Sequence, residues 1–129
     1  MTQDKCDSSL EHIMNTDDES VLTEEMRHTL LVAQNDALRC RGEGGRILIT
    51  SGIAALGTVA VNEILIAVAA FDDFSADNDP WNEHDCAALT VDGVRVIWKI
   101  DLYEEAEVKD ANAEPVVKRV LTIMLADEY

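Results

Sequence analysis

Basic residues are scarce in this chain: against 26 Asp and Glu, its 129 residues set only 10 Lys and Arg, a formal net charge of −16. That deficit excludes functions that need a cationic surface, namely direct nucleic-acid binding and adhesion to an anionic membrane. The expected partners are basic protein surfaces, grooves lined with Lys and Arg, or cations. Cysteine is also thin. Cys6, Cys40 and Cys86 are odd in number and lack CxxC spacing, and no apolar, lightly cationic signal peptide opens the chain. A reducing, cytoplasmic location is expected on those grounds. No hydrophobic run is long and clean enough for a bilayer: the longest, 47–71, is broken by Gly52, Gly57, Asn62 and Glu63, which excludes a membrane span.

What is present suffices for one core. The apolar content of 47% in a chain of this length predicts a single domain over 21–129. Residues 1–20 carry Asp4, Asp7, Glu11, Asp17, Asp18 and Glu19 with no sustained apolar period, and are expected to form a flexible acidic tail.

The spacing of Leu22, Met26, Leu30, Ala33 and Ala37 predicts a first helix. Thr23 caps it, Arg39 and Arg41 favour its C-terminal dipole, and Gly42 stops it. Arg46-Ile-Leu-Ile-Thr50 reads as a strand. Thr58 then caps a helix over 59–71 whose nearly unbroken apolar character predicts burial on most sides. Asp92-Gly93, between two β-rich runs, predicts a two-residue hairpin with Val91 facing Val94, Leu89 facing Val96 and Ala87 facing Trp98. Residues 104–114 are polar and read as a loop. Pro115 then opens a last helix with Val117, Val120, Leu121, Met124 and Leu125 as its buried stripe. The expected fold class is α+β, in the order α-β-α-β-β-α, with a small, mainly antiparallel sheet packed against helices.

Between Arg46 and Arg95 there is no Lys or Arg, while Glu63, Asp72, Asp73, Asp77, Asp79, Glu83, Asp85 and Asp92 all fall there. Most of these acids lie in the loop 72–85, between the second helix and the hairpin. Long loops of this kind often carry function.

Several chemistries were open to these residues. Asp77, Asp79 and Glu83 are hard oxygen donors of the type Ca²⁺ and Mg²⁺ prefer, extended by His84 and Asp85 into an alternative reading as a metal-binding protein or metal-dependent enzyme. The spacing is not that of an EF-hand, because the mid-loop glycine is missing and Pro80 interrupts the donors. His84, Cys86 and Asp101, placed across the hairpin, have the composition of a base, nucleophile and orienter, but no oxyanion-stabilising signature accompanies them. Trp98 is assigned to the core. Trp81, beside Pro80, is balanced between core and an exposed interface anchor.

Taken together, Asp72, Asp73, Asp77, Asp79, Trp81, Glu83, Asp85, Asp101, Glu104, Glu105 and Glu107 are the expected partner-binding residues. Rigidly mounted carboxylates imitate the charge array of duplex DNA, which carries about one charge per 1.7 Å of axis. No catalytic residue, metal or cofactor is assigned.

The segments Asn35-Asp-Ala-Leu-Arg39, Gly-Gly-Arg-Ile-Leu-Ile-Thr50, Phe71-Asp-Asp-Phe, Asn78-Asp-Pro80, Glu83-His-Asp85, Trp98-Lys-Ile-Asp-Leu-Tyr103 and Arg119-Val-Leu-Thr-Ile-Met-Leu-Ala-Asp-Glu-Tyr129 resemble a bacterial family of unknown function typical of plasmids and integrated elements of proteobacteria. The resemblance runs from about Asn35 to the C-terminus and implies no particular reaction. Where that family has a bulky apolar residue, this chain has Cys86, which counts against a catalytic thiol. In size, charge and expected genetic setting the chain also resembles small acidic anti-defence proteins that imitate DNA. That resemblance implies an inhibitor of a type I, Cascade-like CRISPR surveillance complex or of a restriction system. A third reading is an accessory protein of plasmid maintenance whose acidic tail binds a basic partner.

Overall fold

The computed structural model describes residues 23–105 and 116–129. The expected acidic tail over 1–20 lies outside them, as do Pro115 and Glu107. The described elements are α1 (Glu24–Arg41), β1 (Arg46–Ile49), α2 (Ser51–Ala54), α3 (Thr58–Ala70), β2 (Cys86–Val91), β3 (Val94–Glu105), β4 (Val116–Leu125) and a closing 3₁₀ turn, Ala126–Glu128. The class is α+β. Four strands form one sheet in the order β1-β4-β3-β2, antiparallel except for the parallel pair β1 and β4.

α1 ends as its residues dictate. Thr23 Oγ1 accepts from Met26 N at 3.0 Å, and Gly42, at φ 72°, donates back to the last-turn carbonyls. The hairpin register also follows the sequence: Val91 pairs with Val94, Leu89 with Val96 and Ala87 with Trp98. Their side chains share the face covered by α1 and α3. There Leu38, Ile53, Ile64, Val68, Val96, Trp98, Leu121 and Ile123 make the core.

The last element corrects the sequence reading. Residues 116–125 are not a helix but β4, which pairs with β3 on one side and β1 on the other. Val116, Val117, Val120, Thr122 and Ile123 are β-branched and favour a pleated backbone. Leu121 and Ile123 enter the core while Met124 is buried on the opposite face. The polar segment from 104 is likewise not loop at its start, because β3 continues through Glu105 to pair with Val116.

Three smaller departures concern the middle of the chain. α2 was not anticipated; Thr50 caps it by accepting from Ile53 N. The residue capping α3 is Gly57, at φ 99°, rather than Thr58, which is the first helical residue. α3 is also less buried than its apolar sequence suggests, with Val59 73% and Ile66 69% exposed.

One glycine is required by packing. A Cβ on Gly45 would collide with the Arg119 carbonyl oxygen, so only glycine lets the chain entering β1 pass this close to β4.

The C-terminal turn is tied down by Glu128. Its Oε1 accepts from Thr50 Oγ1 at 2.6 Å and from Leu125 N at 2.8 Å. These bonds, the Thr50 hydroxyl first, hold the Glu128 carboxyl below its ordinary range. A depressed carboxylate contributes stability that is complete above its unfolded value of about 4.3 and is lost as pH falls through the lower folded value. Glu128→Gln is therefore expected to melt below the wild type at pH 7, with the gap closing toward pH 3. Parallel melting curves at all pH values would exclude this role.

Candidate partner-binding site

The acidic loop 72–85 is held in one shape by its own polar side chains. Asp79 is only 6% exposed, and its carboxylate accepts from Glu83 N at 3.0 Å and His84 N at 3.1 Å. Asn78 closes the preceding turn, accepting from Ser75 N at 2.8 Å and donating to the Asp73 carbonyl at 2.8 Å. Asp and Asn suit such positions because a short side chain can cap neighbouring backbone donors. Asn82 and His84 adopt positive φ, 55° and 56°, a region that favours glycine. Outside bonds must hold them there.

Those bonds come from α1. Asn35, buried, donates from Nδ2 to the Glu83 carbonyl at 2.9 Å while its Oδ1 accepts from Arg119 Nε at 2.9 Å. His84 Nδ1 lies 3.0 Å from Asp36 Oδ1, and the imidazole stacks on Phe74 with centroids 4.0 Å apart and planes at 6°. Nearer the start of α1, His28 Nε2 reaches the Trp81 carbonyl at 3.1 Å.

At the centre is Arg39, in the last turn of α1 and 5% exposed. Its Nη1 donates to the carbonyls of Val68, Ala69 and Phe71, and Nη2 to Asp36 at 3.1 Å. The first three are carbonyls at the C-terminal end of α3, where negative partial charge collects. The guanidinium carbon also lies 5.3 Å from the Phe74 ring centroid and 5.2 Å from that of Trp98. Burial pushes the Arg39 guanidinium down from its ordinary value, and Asp36 opposes that shift.

With the loop so held, the expected binding residues separate. Asp72, Asp73 and Asp77 are exposed, and Trp81 stands out at 76% exposure, which removes it from the core. Glu83 and Asp85 are half-buried. Asp79 faces inward and serves the loop's own backbone. Asp101 is on the outer face of the sheet, with Oδ2 3.3 Å from Lys99 Nζ, so its charge is partly met within the chain. Glu104 and Glu105 end β3, and Glu107 lies outside the described residues.

The other chemistries lose their geometry. His84 is not opposite Asp101; the Ile100 amide bonds to the Asp85 carbonyl there, and His84 has left the ladder for Asp36. The Cys86 thiol is pushed up by burial first and then by Asp85, Asp79 and Asp101, the opposite of activation for a nucleophile. Among the described residues no group of three or more His, Cys, Asp or Glu is arranged to hold a metal ion. Cys86 is free and exposed, whereas Cys40 is disulfide-bonded. No helix among the described residues is long and apolar enough to cross a membrane.

Asn35, Asp36, Arg39 and Arg119 escaped the sequence reading as site residues. The available signal was a polar pair, Asn35 and Arg39, four apart on one helix face beside Leu38.

The fold and site define a small α+β domain that mounts an acidic loop on a buried arginine hub. The chain belongs to the family described as Protein of unknown function (DUF3768), whose model matches residues 49–128. That span includes the loop, the hairpin and β4, while α1 precedes it. No curated protein and no solved structure matches the chain.

Proposed function

We propose that this chain is a non-catalytic acidic inhibitor that imitates DNA and occupies a basic nucleic-acid groove of a host defence complex. A Cascade-type CRISPR surveillance complex is the first candidate and a restriction system the second. The observation that carries this reading is the tethering of the loop to α1 through Asn35 and His84, with Asp79 capping from within. A mimic needs carboxylates at set positions, and a loop ordered before binding loses less entropy on docking. Asp72, Asp73 and Asp77 supply the charge and Trp81 an apolar anchor. A chain of net charge −16 speeds encounter with a cationic groove, and its affinity falls steeply with salt.

The test is competition with target duplex for a purified Cascade-type complex, read by mobility shift. The wild-type chain is expected to displace the duplex, and Asp73→Lys with Asp77→Lys to weaken displacement at least tenfold without lowering the melting temperature. Undiminished displacement by the double variant, or none by the wild type at micromolar concentration, overturns the proposal.

A further inference from the structure

We infer that β2 is a docking edge, which accepts an extended segment of a basic protein as a fifth strand. β2 is terminal in the sheet order, and its residues Cys86-Ala-Ala-Leu-Thr-Val91 include no charge and no proline, the usual protections of an exposed edge. In a chain with 26 acids, an uncharged edge is a local exception.

The register shows which backbone groups are on offer. The Ile100 amide donates to the Asp85 carbonyl at 2.7 Å, so Asp85 and Ile100 form a hydrogen-bonded pair. Such pairs alternate along an antiparallel ladder. Ala87 with Trp98, Leu89 with Val96 and Val91 with Val94 thus turn their N–H and C=O groups toward β3. Cys86, Ala88 and Thr90 turn theirs outward, and among the described residues nothing pairs with them.

Charge selects the occupant. Asp85 and Asp92 bracket the strand, and Asp79 and Asp101 add to the negative field at Cys86. Pairing two copies of β2 would bring together two chains each of net charge −16, and that like-charge repulsion disfavours self-association. A strand with Lys or Arg at both ends of a β-branched middle instead meets an acid at either end of β2. This inference rests on the proposed function only for the basic character of the partner.

The probe is the synthetic octapeptide Lys-Thr-Val-Thr-Val-Thr-Val-Lys added to the full chain, with backbone amide exchange followed by NMR in the absence of any defence complex. Exchange at Cys86, Ala88 and Thr90 is expected to slow at least tenfold at saturation. Glu in place of the terminal Lys residues should weaken binding at least tenfold. Methylating the peptide amides that face β2 should abolish it, as should Ala88→Pro, which removes an outward N–H and spares the bonds to β3. The inference is overturned if exchange at those three amides is unchanged, if the Glu-ended or methylated peptide binds equally, or if the amides are protected by raising protein concentration alone. Failure of DNA competition would leave these readings unmoved, so the two proposals fail separately.

Discussion

Arg39→Ala is expected to destabilise the chain by about 3–5 kcal/mol, the range for breaking a buried charge pair by removing one partner. The guanidinium serves three carbonyls at the end of α3 together with Asp36, and alanine leaves all of them in a site from which water is largely excluded. Arg39→Lys should recover little, because an ammonium cannot reach both sets from one plane while lying against Phe74 and Trp98. Urea denaturation measures the loss. A change below about 1 kcal/mol would mean that the hub is not the support described.

The effect should extend to the acidic loop. Arg39 shares Asp36 with His84, so in Arg39→Ala the amides of Glu83 and His84 should exchange faster than those of the hairpin turn. Uniform acceleration would indicate global unfolding rather than release of the loop.

Trp98→Ala carries the second large effect, about 3–5 kcal/mol, typical of truncating a large buried aromatic residue. The indole is 0% exposed and meets Phe71 and Phe74 edge-on, with centroids 6.0 and 6.1 Å away. Because Arg39 lies against the same ring, the two substitutions should not add. The double variant is expected to lose less than the sum of the singles, and strict additivity in a double-mutant cycle would show that ring and guanidinium stabilise the chain independently.

The parts of this fold legible in the sequence are those decided locally. Asp92-Gly93 determines pairing for every residue of the hairpin, because a two-residue turn leaves the register no freedom. Thr23 and Gly42 bound α1 for similarly local reasons. β4 was not legible. Val117, Val120, Leu121 and Met124 satisfy the stripe of a helix as well as the two faces of a covered strand, and only β1 and β3 on either side decide between them. The acidic loop was visible as charge, yet the inward turn of Asp79 depends on amides four and five residues ahead in a conformation imposed by α1. The burial of Arg39 was not legible for a comparable reason, since its acceptors are at the end of a different helix.

The place of β4 has a consequence during synthesis. Arg46 pairs with Val120, 74 positions later in the chain, and β3 also finds its second neighbour only in β4. A ribosome releases β1 and the hairpin first, so both wait with open flanks until residues 116–125 emerge. The nascent chain reaches its native sheet only after nearly all of this domain has been made, and ribosome-stalled chains ending before 116 should remain protease-sensitive.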